Sequence, residues 1–224
     1  TITGGATKLK FTTSAFTISC IDTSPQIVVA AQTASGDTDT TFNNTITLLT
    51  SSNSGSFSVL NSPWTNTTAI TFSSGKGTFY YRDQAPGRPV ITVSRVNIEL
   101  DTQSEFIKPK QWKFQTSAFT ITSISTSPLI VVKAEDALSN TATSWAETAV
   151  LSSSSSKGKF SISIVSWSDT TIVKFSSGSA TFYYRDRLGG NPVITVSRAD
   201  LSLSDTQSET VTKPAITASK VQLN

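Results

Sequence analysis

FSSGKGTFYYRD at residues 72–83 returns as FSSGSATFYYRD at residues 175–186, an offset of 103. TSAFTI at 13–18 returns at 116–121 and PVITVSR at 89–95 returns at 192–198, both with the same offset. Between residues 11–96 and 114–199, 46 of 86 positions are identical without a gap. One residue is then inserted, because DTQSE at 101–105 maps to 205–209. A period of this length is a whole domain, not the roughly 20–45-residue rung of a solenoid.

Residues 1–108 therefore read as one repeat and 109–214 as a second. The joint falls at Lys108-Pro109-Lys110 and is mirrored at Lys213-Pro214, where proline favours a short extended link. Residues 215–224 add a third element. ASKVQL at 218–223 matches ATKLKF at 6–11 in order and alternation. Ala218, Lys220, Val221 and Leu223 are therefore expected to form an assembly strand: the first strand of a further repeat, or one donated to a neighbouring subunit. The chain begins without methionine and is expected to be a processed or excerpted segment.

Within each repeat, short alternating apolar runs are separated by turn residues, the pattern of a β-sandwich. Phe79 and Tyr81 should face one way and Tyr80 the other. Ile46 with Leu48, Phe57 with Val59, and Ile70 with Phe72 alternate likewise, while Ile27 to Ala31 is continuous, as in a central buried strand. Turns are expected at Ser24-Pro25, Ser35-Gly36-Asp37, Asn53-Ser54-Gly55, Ser74-Gly75 and Ala85-Pro86-Gly87. No stretch carries a helical period. The expected fold is all-β, with two tandem sandwiches of seven to eight strands each.

Composition narrows the function. Thr occurs 36 times and Ser 37 times. Threonine suits pleated strands, and hydroxyls can make the outer faces soluble without many charges. Histidine is absent and Cys20 is the single cysteine, so triads built on His and zinc sites built on His or several Cys are excluded. Cys20 faces Ser123 in the repeat alignment and reads as a small buried residue. The longest apolar clusters fall far short of the ~20 residues that span a bilayer. The Lys and Arg residues look scattered along the chain, which disfavours nucleic acid as a partner.

The run Ser-Gly, then Ala/Gly-Thr-Phe-Tyr-Tyr-Arg-Asp, a glycine loop and Pro-Val-Ile-Thr-Val-Ser resembles the last two strands of bacterial immunoglobulin-like domains. VVKAEDALSN at 131–140 resembles the end of that family's second strand. Repeat one departs there, with Gln32-Thr33 for Glu135-Asp136 and Asp37 for Asn140. Such domains occur in tandem in surface-layer proteins, invasin-like adhesins and other large cell-surface proteins. The resemblance implies an immunoglobulin-like fold and an extracellular spacer, scaffold or adhesive module. Its partners would be other copies, neighbouring repeats or surface glycans. It implies no enzyme.

Candidate chemistry is sparse, and no catalytic residue is assigned. The duplicated acids Asp83/Asp186, Asp101/Asp205 and Glu105/Glu209 could form a hydrolytic pair only if two of them converged within about 5–10 Å; Asp83 and Asp186 read instead as closing their loops by bonds to turn amides. Calcium needs six to eight oxygens. Asp37 with Asp39, and Glu135 with Asp136 and Asn140, are its candidate ligands, against a reading as solvated turn residues. No other cofactor is expected. Lys10/Lys113 with Asn97/Asp200 align as isopeptide partners but lack an obvious buried acid. Asn43 and Asn66 fit the N-x-Thr glycan acceptor pattern. Trp64, Trp112, Trp145 and Trp167 are expected in core or inter-domain packing, with sugar stacking as the alternative.

Overall fold

The computed structural model describes residues 5–214. The chain divides into two compact units, residues 1–110 with 136–144, and residues 111–135 with 145–224. The assembly-strand residues Ala218, Lys220, Val221 and Leu223 lie outside the described residues.

In the first repeat the strands are β1 (Lys8–Phe11), β2 (Thr17–Ser19), β3 (Ile27–Gln32), β4 (Thr45–Thr50), β5 (Gly55–Ser58), β6 (Ala69–Thr71), β7 (Lys76–Asp83), β8 (Val90–Arg95), β9 (Ile98–Ser104) and β10 (Phe106–Lys108). One sheet runs β5-β7-β3-β1 and the other β6-β4-β8-β9. A parallel bridge between Lys8 of β1 and Glu99 of β9 joins them. β2 and β10 form a separate parallel pair, Thr17 beside Phe106. First and last strands are thus each broken in two, so that one half serves a main sheet and the other half the small pair. With each broken strand counted once, eight strands remain. The connectivity is that of an immunoglobulin-like sandwich.

The second repeat follows the same plan with β11 (Gln111–Phe114), β12 (Thr120–Thr122), β13 (Ile130–Glu135), β14 (Thr148–Ser153), β15 (Lys159–Ser161), β16 (Ile172–Lys174), β17 (Ser179–Arg185), β18 (Val193–Arg198), β19 (Leu203–Ser208) and β20 (Thr210–Thr212). Its sheets are β11-β13-β17-β15 and β16-β14-β18-β19, with β12 paired to β20. The inserted residue has a structural consequence. In the first repeat β8 and β9 meet through a tight turn at Val96-Asn97, and their register shifts between Val93 and Arg95. In the second, a 3-10 turn at Ala199–Leu201 makes the connection longer, and β18 pairs with β19 in unbroken register from Val193 to Arg198. The longer turn takes up the offset that β9 absorbs as a bulge, where Glu99 and Leu100 lie opposite Ser94 alone.

The inner faces are as the alternation requires. Phe79, Tyr81, Ile46, Leu48, Ile70 and Phe72 are buried, and Tyr80 is half-buried. Cys20 is fully buried, with its Sγ donating to the Lys108 carbonyl; burial pushes its thiol up to about 12. Val59 departs from the expectation. It is 48% exposed, and Ser58 takes the inward position at 0%, because β5 ends at Ser58 and the Ser58 hydroxyl turns the chain by bonding the Leu60 carbonyl and amide. The tryptophans also divide. Trp112 and Trp145 are buried to 2%, whereas Trp64 and Trp167 are only partly covered. No helix among the described residues is long and apolar enough to cross a membrane.

Candidate functional site

The duplicated acids are all engaged by hydrogen-bond donors of the fold. Each holds a main-chain amide, and each does so in both repeats. Asp83, 1% exposed at the end of β7, accepts from the Tyr81 hydroxyl at 2.6 Å, the Ser54 hydroxyl at 2.6 Å and the Ala85 amide at 3.0 Å. Asp186 accepts from the Tyr184 hydroxyl at 2.6 Å and the Leu188 amide at 2.8 Å. Burial, followed by the carboxylate beside them, raises the phenol groups of Tyr81 and Tyr184. The turn-amide reading of these two acids is the one that the geometry displays.

Asp101 on β9 bonds the Phe11 amide at 2.9 Å, and Asp205 bonds the Phe114 amide at 2.8 Å. In the first repeat this continues the seam between the sheets beyond the single backbone bridge. Glu105 sits between β9 and β10, where the chain changes sheet. Its carboxylate accepts from the Phe16 amide at 2.7 Å and from Gln103 Nε2 at 2.6 Å. Glu209 repeats this with Phe119 and Gln207 at the same distances. Both glutamates are 1% exposed, and burial raises the Glu105 carboxyl above its ordinary value against the pull of those two bonds.

The calcium candidates are engaged by protein donors, some in their own turns and some from distant segments. Asp39 accepts from the Ala6 amide and from the Thr41 amide and hydroxyl, and the Thr41 bonds lower its carboxyl. Asp37 accepts from Ser35. Asp136 accepts from the Leu138 amide and from the amide and side chain of Asn140; these bonds outweigh its desolvation and lower it. Glu135, 7% exposed, is held by Gln111 and Gln115. Among the described residues no group of three or more acidic or cysteine side chains is placed to hold a metal, so calcium would have to displace these donors. The isopeptide trio is not assembled either. The Lys10 amine is half-exposed and 3.1 Å from Asp101, and Asn97 lies in the β8–β9 turn. Asn43 is exposed, but its side chain bonds the Thr41 carbonyl and the Ser74 amide. Asn66 is exposed and accepts from the Trp64 indole at 2.7 Å.

That last bond belongs to a duplicated surface groove. The Arg82 guanidinium lies 4.2 Å from the Trp64 ring and Arg185 lies 4.1 Å from Trp167, a cation–π distance. Each arginine is fixed from behind, by Thr23 at 2.7 Å and Thr126 at 2.6 Å. Each indole N–H is fixed too, by Asn66 in one repeat and by Asp169 at 2.8 Å in the other. The first groove encloses about 520 Å³ and includes Ser54, Ser56, Trp64, Asn66, Arg82 and Gln84. The second encloses about 350 Å³ and is lined by the equivalent Lys157, Lys159, Trp167, Asp169, Arg185 and Arg187. Four of the 18 basic residues that look scattered in sequence therefore gather in the second groove, and one in the first. The alternation pattern gave no sign of this groove. A signal was present nonetheless: residues 59–63 and 162–166 share no identity, yet Trp64 and Trp167 follow them at matching positions.

No family model matches the chain, and no curated protein matches it. Among solved structures, it is similar to the D0-D1 domain of intimin, with 13% identity over 93% of this chain and 100% of that one and a TM-score of 0.33. Domains 5-6 of the S-layer protein SbsC match with 13% identity over 94% and 99%, at a TM-score of 0.34. The Yersinia pseudotuberculosis adhesin InvE matches with 11% identity over 91% and 58%, at a TM-score of 0.46.

Proposed function

We propose that the chain is a structural repeat module of an extracellular assembly: a surface layer, filament or adhesin stalk. It acts as a spacer and self-association unit through strand edges and domain interfaces, with domains at 1–108 and 109–214. The observation that carries this reading is the role of the duplicated acids. All three bond main-chain amides in both repeats, so what duplication has kept is the means of holding the sandwich together.

Self-association draws on the surface. β6 and β16 lie at the edges of their sheets, and an open sheet edge can accept another strand. Beside them, the loop between β15 and β16 exposes Ile162 at 69%, Ile164 at 48% and Val165 at 90%. The corresponding loop of the first repeat exposes Val59 and Leu60 at 48% and 50%. Apolar side chains on matching loops suit contacts between copies.

Sedimentation and electron microscopy test the proposal. The full chain should form extended oligomers. Removing residues 215–224 should abolish them if that segment donates a strand, and the I162S/I164S/V165S variant should weaken them by removing loop contacts. A monomeric full chain overturns the self-association role, and undiminished assembly after the deletion overturns strand donation. The second reading, an accessory carbohydrate-binding or adhesive module, is favoured by the tryptophan–arginine grooves.

A further inference from the structure

We infer that the groove over β15 and β17 of the second repeat binds an acidic saccharide, one bearing uronate or sulfate groups. This deepens the carbohydrate-binding reading, and its failure would leave the structural role untouched.

The first argument is charge. Lys157, Lys159, Arg185 and Arg187 line one small groove with a single carboxylate, Asp169. Asp169 is shared between the Trp167 indole and Lys159, whose amine lies 3.3 Å away. Lys157 and Arg187 are exposed and have no carboxylate partner among the described residues. Asp186, next to Arg187 in sequence, is buried and bonded to Tyr184 and Leu188. Lys159 also stands directly opposite Arg185 in the β15–β17 register. Like charges in directly opposed cross-strand positions destabilise a sheet. Asp169 is one carboxylate against four cations, so a further anion relieves that repulsion.

The comparison between repeats isolates the feature. At the equivalent positions the first repeat has Ser54, Ser56, Arg82 and Gln84. The tryptophan and its stacked arginine are common to both grooves, so they are one frame, and the three added cations are a specialisation of the second repeat. The frame itself suits a sugar. An indole beside fixed polar groups offers an apolar surface for ring C–H groups, and amphipathic aromatics serve such mixed contacts. A second groove of about 390 Å³ shares Arg185 and Arg187 and adds Ser123, Ile124, Ser125 and the buried Asp186, with Ser125 bonded to Thr122. A single tryptophan per groove is a poor track for successive stacked bases, which single-stranded nucleic acid requires.

Isothermal titration of the full chain with a sulfated, uronate-containing tetrasaccharide of the heparin type tests the inference. Binding at one site is expected, weakening as salt rises. The K157S/K159S/R187Q variant carries the first repeat's residues, so the frame accommodates them, and circular dichroism melting verifies its fold. It should lose roughly tenfold or more in affinity, a step of about one decade in Kd. W167A should weaken saccharide binding while leaving polyglutamate of equal charge unaffected. The reverse graft S54K/S56K/Q84R should raise the stoichiometry from one to two. Unchanged binding by the triple variant overturns the inference. So does equal affinity for polyglutamate or an oligonucleotide together with indifference to W167A, since the site would then be a general polyanion surface.

Discussion

At Glu105 a carboxyl group is buried to 1% with two hydrogen-bond donors aimed at it. Desolvation disfavours the charged form, and the bonds from Phe16 and Gln103 compensate only in part, so the folded-state value stands above the ordinary 4.5. The linkage has a definite sign. The contribution to stability is fully present below about 4.5 and is lost as pH rises through the raised folded value. Asp39, Asp136 and Asp169 are shifted the other way, below 3.8, and are already ionised across that window. Glu105→Gln keeps an acceptor for the Phe16 amide and removes the titration. Urea midpoints measured upward from pH 4.5 should therefore decline less steeply for this variant than for the parent. Parallel curves would show that Glu105 does not titrate there.

The strands show how a side chain in one element sets what another can carry. In β7, a Cβ at Gly77 would stand 2.5 Å from the Phe72 ring and 2.7 Å from Ile70 Cδ1. The second repeat has alanine there, Ala180, and it is buried; Val173 replaces Ile70. The shorter valine vacates the methyl position that the alanine fills. Gly77→Ala alone should cost about 1–3 kcal/mol by overpacking, and adding Ile70→Val should recover most of it, as read by chemical denaturation. An unrecovered loss would mean that the Phe72 ring, not Ile70, forbids the Cβ. Elements of this kind were legible in the sequence because burial in a strand alternates, as Phe79, Tyr80 and Tyr81 do. The acid clamps were not. Asp101 meets the Phe11 amide from 90 residues away and Glu105 meets Phe16 from 89, and that pairing depends on the register between first and last strands, which alternation does not encode. Nor does it tell a core tryptophan from one stacked under an arginine, since indole serves both settings.

Across the whole molecule the two repeats pack one core in two ways. Trp112 and Trp145 occupy the places of Leu9 and Phe42, all four buried. Interior packing is dense, so the added volume must be removed elsewhere, and Ala149 and Val173 stand in place of Ile46 and Ile70. The aromatic contacts shift accordingly: Phe42 meets Phe72 edge-on at 5.2 Å, whereas Trp112 lies at 5.0 Å and 32° to Phe175. The exchange left a cost, because the buried Trp112 indole N–H has no hydrogen-bond partner among the described residues. Trp112→Leu should cost about 2–4 kcal/mol through the cavity it opens, partly offset by loss of that unpaired group. Ala149→Ile should cost about 1–3 kcal/mol by overpacking. If the volumes compensate, the double variant should be more stable than the two single losses predict, by about 1 kcal/mol or more, the coupling expected of residues that share a core. Strict additivity in the denaturation midpoints of the second unit would show that each repeat settled its core site by site, with no exchange of volume between them.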